Sequence, residues 1–323
     1  FIYFFTILAF AIQLILLRNY APILNSIALS RIVLALPILC ILFCIIWPKD
    51  QLEDNSFIEK IFKVFLTLCL IESIFLILGL YPFYLDLIGF DNYMDSKNTS
   101  SGIAFGFFGY RLITPLFNAS VGGVILSFLF GFYWLSGQKR LAIITLIPLI
   151  LTVSKSGFVV AIIFILSNSF SAFGFFFACI AYFIMAIFSL NNLISDSQFS
   201  DNILIHLASI DYHVRGLITG MDRLLLPVGL GNAGTVPGVE MPELIGRESG
   251  IGVGLGTSGL FYLITFIVSA FAIIREFGRV GFLMVFGYTL VALMNEGASS
   301  FYIWVPLFLL FFKSSQKYNF KLR

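Results

Sequence analysis

Residues 140–167 read RLAIITLIPLILTVSKSGFVVAIIFILS. Two apolar runs are joined by four residues, Ser154-Lys155-Ser156-Gly157, with no room for more than a tight turn. Length and apolar character predict helices rather than strands, so this stretch reads as a helical hairpin in apolar surroundings. Each arm is shorter than the roughly 20 residues that cross a bilayer, so neighbouring helices are expected to shield it.

Outward from that hairpin the pattern recurs. Apolar segments are expected at 1–17, 27–47, 60–80, 118–136, 140–154, 156–168, 170–194, 254–274, 279–294 and 299–312. Hydrophobic residues make up 59% of the 323 and charged ones 11%, and the mean hydropathy is +1.01, outside the range of soluble globular chains. The expected fold is all-α: a polytopic membrane protein of about ten transmembrane helices, one domain over residues 1–323. The ten-residue alternation of an outer-membrane barrel is absent. Phe1 already lies within an apolar run, which predicts that more chain precedes it. No charged leader or small-residue cleavage site marks a signal peptide.

Charge gives the orientation. With ten segments alternated, Lys49, Lys60, Lys63, Lys139, Arg140, Arg275, Arg279, Lys313, Lys317, Lys321 and Arg323 share one side. The positive-inside rule makes that side cytoplasmic. The opposite side then holds 81–117, the Ser154–Gly157 turn, the long 195–253 segment and the Asn295–Ala298 turn. The Gly102–Gly109 stretch, rich in Phe, is too apolar for a solvated loop and is expected to re-enter or lie at the interface. The 195–253 loop is hydrophilic, and loops of that length in compact domains are usually functional.

Against this background the informative residues are cations where the rule expects few: Arg18, Arg31, Arg111, Lys155, Arg215, Arg223 and Arg247. Arg111 precedes the fourth segment; its fork suits two phosphate oxygens, whereas the bland alternative is snorkelling to lipid headgroups. Lys155 opens a helix, where free N–H groups make an anion seat, or else it is a polar hairpin tip. Arg215 and Arg223 share nearly one face if 212–225 is helical. Pro227-Val-Gly-Leu-Gly-Asn-Ala-Gly234 lacks the Gly-Lys-Ser/Thr of a nucleotide loop and reads as a turn. Arg247-Glu248 is either a base beside a bound anion or a pair favouring a helix start. His213 is a second candidate base or a surface side chain. Arg31 lies about 6 Å inside its helix start and can snorkel; Glu72 is deeper and is expected to make an interhelical bond. Cys40, Cys44, Cys69 and Cys179 all lie in apolar runs without a ligand set, so they read as packing residues with no metal or disulfide role.

Taken in order, these stretches resemble the O-antigen polymerase (Wzy-type) and O-antigen ligase superfamily of integral-membrane glycosyltransferases, over most of residues 105–275. Arg111 through Asn118-Ala-Ser-Val-Gly-Gly123 is similar to its Arg-plus-Pro-Asn-Gly stretch, and Ser154-Lys155-Ser156-Gly157 to its Ser-Arg-Ser/Thr-Gly turn, with Lys for Arg. Arg215 followed by Pro227-Val-Gly-Leu-Gly resembles the opening and centre of its periplasmic loop. Gly256-Thr-Ser-Gly259 is similar to its Gly-x-x-Gly before the next helix. Where ligases carry His-Asn, this chain has Gly246-Arg-Glu-Ser-Gly250, which is closer to polymerases.

The resemblance implies an inverting, metal-independent polymerase of lipopolysaccharide O-antigen or another surface polysaccharide, in a bacterial inner membrane with its site facing the periplasm. Glycan would pass from undecaprenyl diphosphate to the next lipid-linked repeat unit. Arg111, Lys155, Arg215, Arg223 and Arg247 would bind diphosphate, and Glu248 or His213 would act as base; no cofactor is implied. Partners would be the lipid-linked donor and acceptor, membrane lipid and a chain-length regulator protein, with no nucleic acid. Two alternatives are a ligase acting on another acceptor and a transporter or flippase of lipid-linked oligosaccharide.

Overall fold

The computed structural model describes residues 2–16, 29–47, 56–89, 110–116, 118–167, 215–230, 233, 245, 249–294 and 297–318. These are helical or turn throughout, with no strand among the described residues. The segment expected at 170–194, the Gly102–Gly109 stretch, Cys179, and His206, His213, Arg247 and Glu248 lie outside the described residues, as does Arg18. The described residues divide between two compact units, one drawn from Asn55–Phe175 and Tyr318–Arg323, the other from Phe1–Asp54 and Phe176–Lys317.

In the first unit, α3 is Ser56–Ile77, α4 Tyr81–Leu87, α5 Ala119–Leu135, α6 Lys139–Thr152 and α7 Lys155–Ser167. The hairpin read from the sequence is α6 and α7, and both pack on α5. Every residue of α5 from Val121 to Tyr133 is buried. Small residues permit that enclosure: a Cβ on Gly131 would collide with the Phe164 ring, and one on Gly123 with the Ser154 side chain. Pro148 sits inside α6, where it removes one backbone donor from the helix.

Helix α3 is apolar on both faces, with Phe62, Leu66, Cys69 and Leu76 buried. Phe57, Ile61, Val64, Leu68, Ile71, Ile74 and Ile77 recur at helical spacing, each 45% or more exposed, while Glu72 and Ser73 are buried. Ile143, Ile147 and Ile150 on α6 are exposed in the same way, with Thr145 and Thr152 inward. A soluble helix carries its apolar stripe toward the core.

In the second unit, α1 is Ile2–Leu16 and α2 spans 29–46, ending in a π-helical turn Ile41–Ile46. A short helix, α8, runs over 215–221; α9 is Gly250–Ser258, α10 Leu260–Met294 and α11 Phe301–Tyr318. By length and composition α10 is long and apolar enough to cross a membrane. Ile2–Leu16, Ala35–Ile46, Ala119–Leu135, Ser156–Ile165 and Phe301–Lys313 are shorter apolar helices.

The run α10 is not straight. Gly278 has φ 58° and ψ −131°, and beyond it the chain folds back. Phe266 and Tyr288 have ring centroids 6.2 Å apart, although 22 residues of straight helix would separate them by roughly 33 Å. The arms are 260–277 and 279–294, close to the two segments expected at 254–274 and 279–294. At the bend, Phe277 stacks on Phe312 at 3.6 Å, and Phe43 makes edge contacts with both rings. Each such pair adds about 1 kcal/mol beyond area burial. Cys40 is buried, Cys44 half-buried and Cys69 buried, all as free thiols.

Candidate functional site

The turn between α6 and α7 is built from bonds of its own short sequence. Helix α6 ends with Val153 in the left-handed region (φ 49°). Ser154 then caps α7: its Oγ accepts from Gly157 N at 3.2 Å and its carbonyl from Phe158 N at 2.9 Å. The same hydroxyl donates to the carbonyl of Ser120 at 3.3 Å, tying the turn to the start of α5. Gly123 leaves the space that Ser154 fills, and Gly157 is pressed so closely that a Cβ would lie 2.7 Å from the Gly123 carbonyl oxygen. Asn118 caps α5 by accepting from Val121 N at 3.0 Å. The small and hydroxylated residues that drew attention in the sequence are therefore the ones that let three helix ends meet.

Arg111 is fixed at that meeting point. Its Nε donates to the Thr152 carbonyl at 3.0 Å and its Nη2 to the Val153 carbonyl at 3.4 Å. Leu112 N donates to the Leu151 carbonyl at 2.9 Å, so backbone and side chain together cap the end of α6. A cation is favoured there, since the carbonyl end of a helix carries partial negative charge. Burial draws the Arg111 pKa below its ordinary value, though a guanidinium stays charged. The Nε–Nη2 edge expected to grip phosphate is spent on these carbonyls. Two of five N–H donors are used, and no further partner occurs among the described residues.

Lys155 is the first residue of α7, two positions after Val153. The Arg111 guanidinium and the α7 start thus lie within about 10 Å of one another. The first-turn N–H groups of Lys155 and Ser156 have no intrahelical acceptor by construction, and they point out of a helix long enough to carry a dipole. Chemically the turn sets a fixed cation within about 10 Å of a helix start, a setting for an anion.

Arg215 and Arg223 belong to the other unit. Arg215 opens the described part of α8 and is exposed. Helix α8 lies against α9 by close backbone approach of Gly220 to Gly252, where a Cβ would collide. The shared helical face expected for Arg215 and Arg223 does not form, because the helix ends at residue 221 and Arg223 sits in the following turn. The turn closes with Arg223 N to the Gly220 carbonyl at 3.1 Å, and the Leu224 carbonyl is taken by Leu260 N at 2.9 Å. Pro227 then forces extended backbone before it. Val228 N and Gly229 N donate to the carbonyls of Gly256 (2.9 Å) and Thr257 (3.1 Å), so the Pro-Val-Gly turn caps α9. Ser249 caps its other end, accepting from Gly252 N at 3.1 Å. Arg31 lies 5.8 Å over the Tyr302 ring.

Two residues around Arg111 gave little warning. Glu72 on α3 makes the expected interhelical bond, to the Tyr81 hydroxyl that opens α4, and its carboxyl also accepts from the backbone of Ile113 and Thr114. A lone Glu in an apolar segment signalled that something polar faces it, but nothing in the sequence said what. Among the described residues no cluster of three or more metal-type side chains occurs. Comparison with protein-family models, curated proteins and solved structures found no match.

Proposed function

We propose that this chain is a polytopic membrane glycosyltransferase that acts on lipid-linked diphosphate sugars, a polymerase of a surface polysaccharide in a bacterial inner membrane. The recurrent apolar segments and the outward apolar stripes of α3 and α6 support the membrane reading, and the charge asymmetry of the loops supports the orientation. The observation that carries the chemistry is the Arg111 guanidinium held within about 10 Å of the α7 start, on the side read as periplasmic.

A lipid diphosphate is already an activated leaving group. The protein's tasks are to neutralise its charge and to orient an acceptor hydroxyl for displacement. Arg111, Lys155 and the N–H groups opening α7 supply the first. Arg215, Arg223 and Arg247 are proposed as further diphosphate ligands, and Glu248 or His213 as base, on the strength of the resemblance. The undecaprenyl carrier, the periplasmic setting and a chain-length regulator partner belong to the same proposal.

The test is elongation of a synthetic lipid-diphosphate repeat unit by the purified chain in lipid nanodiscs. Lengthened glycan is expected, with Arg111→Ala slowing it about 100-fold, the cost of losing one preorganised donor to developing charge. Transfer only to a different acceptor would make the chain a ligase. Movement of intact substrate across a vesicle without a new glycosidic bond would make it a flippase and sink the enzyme reading.

A further inference from the structure

Glu72 is fully buried on α3, where a carboxyl is costly to desolvate unless it is hydrogen-bonded. Its Oε1 accepts three hydrogen bonds: from the Tyr81 hydroxyl at 2.7 Å, from Ile113 N at 3.1 Å and from Thr114 N at 3.1 Å. The Tyr81 oxygen in turn accepts from Ile113 N at 2.9 Å. Tyr81 is itself fully buried, and burial pushes its phenol far above the ordinary range, which keeps the proton it donates.

What this carboxyl holds is an awkward piece of backbone. Thr114 has φ 62°, a left-handed conformation that is an outlier for a β-branched residue. Its side chain occupies the space Gly122 leaves open. The Ile113 carbonyl accepts from Asn118 N at 2.8 Å. Two consecutive buried N–H groups in this turn have Glu72 as acceptor, and only Leu112 separates the turn from Arg111, whose guanidinium is on the Thr152 and Val153 carbonyls.

We infer that Glu72, with Tyr81, is a positioning residue for Arg111: the carboxyl oxygen fixes the Ile113–Thr114 turn, and the turn sets the guanidinium at the mouth of α7. The functional consequence rests on the anion-binding reading above; the positioning itself does not. Loss of the oxygen leaves the Thr114 N–H without its acceptor and the Ile113 N–H with the Tyr81 oxygen alone, beside a strained residue, and relaxation of that segment shifts Arg111.

The test uses the full chain in nanodiscs and reads Arg111 directly. Phenylglyoxal modification is followed at that residue by peptide mass spectrometry, with a thiol reagent at buried Cys69, one turn from Glu72, as the gauge of general loosening. Glu72→Ala is expected to raise the Arg111 rate about tenfold, the equivalent of one lost charge-assisted hydrogen bond, and to leave Cys69 unreactive. Glu72→Gln keeps an oxygen acceptor and is expected to stay within about twofold of the parent. Tyr81→Phe removes one bond of the set and should give a smaller rise; it decides the matter should Glu72→Ala fail to fold. An unchanged Arg111 rate in Glu72→Ala or Tyr81→Phe overturns the inference, as does a parallel rise at Cys69 or a Glu72→Gln variant as reactive as Glu72→Ala. Inorganic pyrophosphate, added to the parent protein, tests the other reading separately: failure to protect Arg111 counts against the anion site, whichever way the variants fall.

Discussion

The Arg111 turn and the Arg215–Arg223 segment both place cations beside a glycine-rich helix, and they do so by opposite means. Arg111 is held by its side chain, whose donors are bound to named carbonyls, and the backbone two and three residues on is bonded to Glu72. Around Arg215 and Arg223 the contacts are of the backbone: Gly220 against Gly252, Leu260 N on the Leu224 carbonyl, Val228 and Gly229 capping α9. In the first region the cation is part of what holds the structure. In the second, glycines make the close backbone approach possible. A mutation at the charge should therefore disturb folding in the first region and spare it in the second, while a mutation at a glycine should do most harm in the second.

The largest effect is expected at Gly259. Its φ of 57° with ψ −133° is a glycine conformation, and a Cβ would also collide with the Leu224 carbonyl that Leu260 N binds. Gly259→Ala should cost about 3 kcal/mol or more, combining strain with overpacking. Thermal unfolding in detergent reads this; a shift no larger than that of a surface substitution would break the contrast.

Next come the two arginines. Arg111→Ala leaves the Thr152 and Val153 carbonyls without their donor and should lose about 2 kcal/mol of stability. Arg215→Ala, at an exposed site, should lose at most about 1 kcal/mol, the ceiling for an exposed ion. Under the proposed function both variants lose elongation activity, so stability and activity move together in one and separate in the other. Equal destabilisation by the two substitutions would erase the distinction between the regions.

That contrast also marks what the sequence could disclose. The α6–α7 hairpin was legible because apolar runs flank a four-residue polar turn, and the reversal at Gly278 because Arg275 and Arg279 interrupt an apolar stretch. Charge and hydropathy are local signals, and they place helices well. The Glu72 contact was not legible, because its acceptor oxygen meets residues 41 and 42 positions away. Nor was the left-handed Thr114, since nothing about a threonine announces that conformation. Arg223 left the expected helical face because the Leu224 carbonyl is claimed by Leu260, a partner far along the chain. Local pattern found the cations, and long-range hydrogen bonding decided how each is held.

The helix caps give a smaller and sharper measure of the same contrast. Ser154 and Ser249 do equivalent work at the starts of α7 and α9, each accepting from the N–H three residues on. Ser154 also donates to the Ser120 carbonyl across to another helix. Ser249→Ala should therefore cost about 1 kcal/mol, the usual price of a lost cap. Ser154→Ala should exceed it by about another 1 kcal/mol, the worth of the second bond.

A second pair of glycines isolates conformation from packing. Gly278 shares its backbone angles with Gly259 almost to the degree, yet nothing lies within 4 Å of where its Cβ would go. Gly278→Ala should therefore lose only the conformational part, about 1–2 kcal/mol, and the excess at Gly259→Ala measures the collision with Leu224. If the two substitutions cost the same, the Leu224–Leu260 junction yields easily, and the Arg223 turn is held by something other than the glycine break beside it.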